Sequence, residues 1–188
     1  LYVRAEDKAG NVSTVYERQF TIDKSNPLLA ETAVGDALEN RTALFDLTIS
    51  AEDTNGIQSI SIIQKKNSTG ALTIPSTFVS GDSYDHTISG LPLTSVGPAV
   101  SAAVDGSGTD DGLYTYDITV TDLAGKAVTI TRTVRFDTKG PDITLSVPVE
   151  NAYYGASLTV SGVVTDANGI TSTTYNIDSG VDTAFANA

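Results

Sequence analysis

Five aspartates stand where the chain turns or passes a proline-led link. Asp7 and Asp122 each open a turn, Asp23 and Asp137 each precede a proline by four residues, and Asp142 follows Pro141 directly. Carboxylate oxygens are ligands for hard cations, and calcium takes six to eight of them. Asp122, Asp137 and Asp142 are expected to converge at one pole of the fold. Asp7 and Asp23, assisted by Glu6, would be the matching set one repeat earlier. Calcium is thus the candidate cofactor, and it would stiffen the links by neutralising carboxylates that otherwise repel. A second account needs no metal: Asp7 and Asp122 would accept hydrogen bonds from their own backbones in Asx turns. The residues leave both accounts open.

Other chemistry is poorly supplied. The one histidine, His86, sits between Asp85 and Thr87 in an expected strand, where neighbours point to opposite faces, so Asp85 and His86 are no dyad. Asp110 and Asp111 are paired carboxylates in a Gly-rich turn, without the cleft a glycosidase needs. The loop 105–112 has the flavour of a calcium loop but lacks its order and its closing Glu, and is expected to be solvated. Asp53 and Asp166 lead Asn-Gly turns that explain them without a ligand. No nucleophile elbow or phosphate loop is present, and with no cysteine there is no thiolate site or disulfide. The expectation is a protein without catalytic residues.

Charge narrows the partners. The net charge is −12, with residues 140–188 carrying five acids and no base. Such a surface repels phosphate backbones and anionic lipid, so nucleic acid is not an expected partner. No apolar run approaches the roughly 20 residues that span a bilayer as a helix, so no membrane insertion is expected within this segment.

The elements that must position these groups are strands. Tyr114, Tyr116, Ile118 and Val120 alternate with Thr115, Asp117, Thr119 and Thr121, the period of a half-buried strand. A turn at Asp122 to Lys126 leads to a second run with Val128, Ile130, Val134 and Phe136 on one parity. Arg132 interrupts that parity, which predicts a bulge or a snorkelling stem. Phe45, Leu47, Ile49 and Ala51 form another alternating run, then a turn at 53–56 and a strand with Ile60 and Ile62 inward. Residues 66–111 are broken by Pro75, Pro92 and Pro98 and predict short strands near 72–74, 84–89 and 100–104. About seven short strands with turns between them argue a β-sandwich, with strands A, B, C, F and G at 28–32, 43–52, 57–65, 113–121 and 127–136. Tyr114 or Tyr116 stands where such folds keep a tyrosine corner.

The pattern also repeats. Asp7, Ala9 and Gly10 recur as Asp122, Ala124 and Gly125; Asp23 and Pro27 recur as Asp137 and Pro141; Asp53, Asn55 and Gly56 recur as Asp166, Asn168 and Gly169. Each offset lies close to 114 residues, the sign of tandem duplication.

Three stretches resemble the bacterial Ig-like repeats of large exported and cell-surface proteins. They are Thr121-Asp122-Leu123-Ala124-Gly125-Lys126, Phe136-Asp137-Thr138-Lys139-Gly140-Pro141, and the run from Val160 to Ile170. The resemblance implies an all-β fold of Ig-like β-sandwich modules in tandem, one complete and two partial. Residues 1–24 would be the F–G hairpin of a preceding module, 25–139 a complete sandwich, and 140–188 strands A to C of a following one. It also implies an extracellular or cell-surface setting, and calcium at module junctions, as some such arrays hold. The function expected is a structural spacer or stalk in an adhesin-like surface protein, whose partners are its adjacent modules. The alternative is a carbohydrate- or protein-binding module using the 66–111 insert. Of the eight tyrosines, which could offer a sugar-stacking platform, Tyr84, Tyr153 and Tyr154 are the ones expected to be exposed.

Overall fold

The computed structural model describes residues 1–31, 38–76, 78, 80–155 and 157–184, and none of these is helical. The chain begins with short strands β1 (Tyr2–Val3) and β2 (Tyr16–Glu17). The sandwich follows as β3 (Leu28–Glu31), β4 (Leu38–Arg41), the long β5 (Phe45–Lys66), β6 (Thr69–Ile74) and β7 (Gly81–Leu91). A small hairpin of β8 (Leu93–Val96) and β9 (Ala99–Ser101) precedes β10 (Gly112–Asp122) and β11 (Ala127–Phe136). Four strands close the chain: β12 (Asp142–Val147), β13 (Ser161–Thr165), β14 (Thr174–Tyr175) and β15 (Thr183–Ala184).

One strand belongs to both faces of the sandwich. The first half of β5 pairs with β3 and β7, and its second half pairs with β10 and β6. The register against β7 shifts between Glu52 and Ile57, where the sequence predicts a turn. The backbone thus bends at that point instead of ending a strand, and Gly56 supplies the positive φ of 105° that the bend requires. β11 lies beside β10 and is flanked by β4, which runs parallel to it. The sequence did not predict β4, because Leu38-Glu39-Asn40-Arg41 has no alternation.

The inward rows of β5, β10 and β11 make one core. Leu47, Ile49, Ile57, Ile62, Tyr116, Ile118, Val120, Val134 and Phe136 are fully buried. Phe45 meets Tyr116 edge-on at 5.8 Å, and Tyr114 meets Phe136 edge-on at 6.3 Å, the geometry aromatic quadrupoles favour. The region 66–111 is no appended insert. It contributes Ile74, Tyr84, Ile88, Leu91, Leu93 and Ala102 to this core. The buried Gln64 amide holds it there, donating to the Leu93 carbonyl at 2.6 Å and accepting from the Leu93 N–H at 2.9 Å.

Arg132 creates no bulge. The β10–β11 register runs unbroken through Tyr116 and Arg132, and the guanidinium pairs with Glu31 on β3. A charge at inward parity is tolerated because its partner sits on the opposing sheet, and the pair ties the sheets together. The tyrosine corner is Tyr114, whose hydroxyl donates to the Asp110 carbonyl at 2.7 Å. The Tyr116 hydroxyl is buried without a hydrogen-bond partner among the described residues.

The flanking hairpins copy the sandwich's registers. Val3 faces Tyr16 as Ile118 faces Ile130, and Ile143 faces Val164 as Leu29 faces Ala51. Each pair is displaced from its copy by the repeat offset. In the first copy both Val3 and Tyr16 remain exposed, whereas in the second Ile143 is exposed and its partner Val164 is buried.

Burial, and then the charges of Asp110 and Asp111, push the Tyr114 phenol up to about 12. Its neutral form therefore stabilises the fold fully below pH about 10, and that contribution is lost as pH rises toward the folded value. Replacing Tyr114 by Phe removes a satisfied buried hydrogen bond and is expected to cost about 1 kcal/mol. The Tyr116→Phe change removes an unpartnered hydroxyl and is expected to be neutral or stabilising. Urea unfolding of the two variants checks this order.

Candidate metal centre

At the pole where the chain enters the sandwich, three carboxylates meet. Asp122 ends the inward row of β10 and has no exposed surface. Asp53 lies at the bend of β5 and is 4 % exposed. Asp23 comes from the link before β3, and its side chain is 4 % exposed. One carboxylate oxygen from each lies within 4.8 Å of the others.

Each carboxylate is held by the backbone that carries it. Asp122 accepts from the Lys126 N–H at 2.8 Å, while its own N–H donates to the Lys126 carbonyl at 2.9 Å. Gly125, with φ of 84°, closes that turn. Asp53 accepts from the Asn55 N–H at 2.8 Å. Asp23 accepts from the Ser25 N–H and hydroxyl, both at 2.9 Å, through one oxygen. The turn and the bend are also joined directly, the Leu123 N–H donating to the Gly56 carbonyl at 3.0 Å.

The ammonium of Lys126 sits among these oxygens, 3.2 Å from Asp122 Oδ2 and 3.3 Å from Asp23 Oδ1. Burial alone would raise the Asp23 carboxyl, but hydrogen bonds from Ser25 and then Lys126 prevail and hold it below its ordinary range. Burial would lower Lys126, yet its bonds to Asp122 and then Asp23 leave it raised. One positive charge does not balance three negative ones. The second oxygen of Asp23 is buried with no hydrogen-bond partner among the described residues. A hard oxygen-seeking cation fits a donor set of this kind. The acidic triad could hold a metal ion, and a small cavity lined by Thr21, Asp23, Asn55, Leu123 and Ala124 opens beside it.

This grouping differs from the one expected from the sequence. Asp122 and Asp137 cap opposite ends of a hairpin whose register spans Gly112↔Phe136 to Thr121↔Ala127, roughly 30 Å at the usual rise per residue. An outgoing link therefore cannot meet the β10–β11 turn; an incoming one does. Asp137 lies at the far pole, lining a cavity with Asp111, Asp142 and Asp166. Asp142 is exposed and bonds Lys139 at 2.6 Å. Asp7 is not a member of the group formed by Asp23, Asp53 and Asp122. Its carboxylate serves its own turn, accepting from the N–H groups of Ala9 and Asn11 at 2.8 and 2.9 Å and from the Asn11 amide at 2.8 Å. Asp53, explained from the sequence by its turn alone, is the member that reading missed. Its recurrence as Asp166, in step with Asp23 and Asp137, was the signal available.

The other candidates fall to ordinary roles. Asp110 accepts from Ala103, Asp111 from Thr138 and Lys139, and Asp105 from Ser107. His86 is half-buried in β7, its ring 5.7 Å from Tyr84. Tyr84 is buried, contrary to expectation, and no aromatic side chain described in 66–111 is exposed. Tyr153 is fully exposed, and the Tyr154 hydroxyl accepts from the Val149 N–H.

Against known proteins, a family model described as a bacterial Ig-like domain matches residues 1–24 and 28–138. The chain belongs to the bacterial Ig-like domain family. The two matched stretches divide at the link that carries Asp23. Domains of this family are generally found in exported or surface proteins and are usually not catalytic. No curated protein matches the chain.

The lowered Asp23 value has a consequence for acid stability. Its ionised form contributes fully above about pH 4, the ordinary carboxylate range, and the contribution is lost as pH falls through the depressed folded value. The melting-temperature gap between wild type and Asp23→Asn is expected to be constant near neutrality and to shrink below about pH 4. Thermal scans across pH 2–7 check it.

Proposed function

We propose that this chain is a length of stalk: Ig-like modules in tandem, holding another part of a bacterial surface protein away from the cell. Residues 25–139 make the complete module, 1–24 end the one before it and 140–188 begin the next. The reading is carried by the Asp23 contact. A link of a few residues between two units would ordinarily permit some relative motion. Here its carboxylate is bonded to the turn of the unit it enters, so the link behaves as part of that unit. Repeated registers at both ends support the same architecture. Calcium is the ion that best suits the oxygen donors of Asp23, Asp53 and Asp122, and binding it would add to the stiffness by cancelling their repulsion.

Two measurements test this. In 15N relaxation, residues 23–27 are expected to be as ordered as β3, and the Asp23→Ala variant to release them. Independent motion of that link in the wild-type chain would end the stalk reading. Thermal unfolding in millimolar calcium is expected to give a higher Tm than in chelator, since an ion bound only by the folded state must stabilise it. An unchanged Tm removes calcium and leaves the stalk standing.

A further inference from the structure

The repeat supplies a second copy of the Asp122 turn, one that stands outside the acidic triad. The turn at Asp122 and the turn at Asp7 share three hydrogen bonds. In each, the aspartate N–H donates to the carbonyl four residues on, at 2.9 Å, and a glycine N–H donates back to the aspartate carbonyl at 3.1 Å. In each, the aspartate Oδ1 accepts from the N–H four residues on, at 2.8 Å for Lys126 and 2.9 Å for Asn11. The glycines share a φ near 86°, at 84° and 88°. The Asp7 turn has one bond more, from the Ala9 N–H to Asp7 Oδ1 at 2.8 Å, and the side chain at the fourth position after the aspartate differs. Lys126 places an ammonium 3.2 Å from Asp122 Oδ2, where Asn11 places a neutral amide 2.8 Å from Asp7 Oδ2. The lysine also reaches Asp23, at 3.3 Å.

From this contrast we infer that Lys126 is a tethered competitor for the divalent-cation site formed by Asp23, Asp53 and Asp122. The inference rests on the reading of that triad as a cation site. The ammonium lies on two of the three carboxylates that would bind the ion, and a like charge a few ångströms away opposes its entry. Its side chain is 28 % exposed and sits on a flexible four-carbon stem, so it can swing into water when an ion displaces it. The buried Asp23 oxygen that Lys126 leaves without a hydrogen bond is the donor that gains most from the exchange. The residue at this turn position therefore sets how strongly a junction depends on metal. With lysine the junction carries its own cation and holds at low calcium. With asparagine it depends on the ion.

The test uses the full 188-residue chain, with calcium chloride as the probe. Lys126→Asn reproduces the side chain that the Asp7 turn already carries, and Lys126→Gln provides a second neutral variant of greater reach. Both are expected to bind calcium about tenfold or more tightly than wild type in calorimetric titration, because a competing charge is gone. Both are also expected to melt lower than wild type in chelator and to recover in calcium. Adding Asp23→Asn to Lys126→Asn should abolish the gain. Equal or weaker binding in both neutral variants, with wild type binding calcium, overturns the competitor role and leaves the cation site intact. No binding in any of the proteins overturns both. A gain that survives Asp23→Asn places the ion elsewhere and overturns the inference.

Discussion

A carboxylate with no exposed surface ends the inward row of β10, and the entrance to the sandwich is organised around it. Asp122 continues the parity of Tyr116, Ile118 and Val120, so the strand that builds the core also delivers a charge into it. Burying that charge is tolerable only with donors close by. The chain provides two from one residue, the N–H and the ammonium of Lys126. The ammonium has capacity left over, and the acceptor it takes is Asp23 from the incoming link. The neutralisation of a core carboxylate and the anchoring of the link are therefore a single interaction.

The bend in β5 makes that arrangement possible. Had the chain ended one strand and begun another across a loose loop, Asp53 would have faced water. Instead the strand continues through Gly56 from one sheet to the other, and the Leu123 N–H clamps the bend to the β10–β11 turn. The Arg132–Glu31 pair fixes the same two sheets farther along, and Gln64 holds the hairpin of β8 and β9 against their edge. A rigid pole results, in which three aspartates from distant parts of the chain meet. In the stalk we propose, this would be the mechanically relevant place, because force passing between neighbouring units would cross the link. The Lys126 ammonium joins Asp23 of the link to Asp122 of the turn at that point.

Much of the fold was legible from periodicity. The strands at 113–121 and 127–136, both halves of β5 and the register of β1 with β2 depend on alternation and on turn residues close in sequence, and local physics decides these. The N-terminal copy forms the same pairing with both strands exposed. β4 escaped notice because a parallel edge strand carries no alternation of its own. The 66–111 segment looked like an insert because prolines interrupt its pattern, yet its apolar side chains complete the core.

The site divides along the same line. That aspartates open the turns and precede the prolines, and that oxygen ligands favour a hard cation, follows from residue types alone. Which aspartates meet does not. Asp122 and Asp137 are near neighbours in sequence but sit at the two ends of an antiparallel hairpin, whereas Asp23, Asp53 and Asp122 span about a hundred residues and converge. Local spacing determined the turns that orient each carboxylate. Only the stacking of two sheets, with one strand crossing between them, decided that the incoming link and not the outgoing one would share their charge.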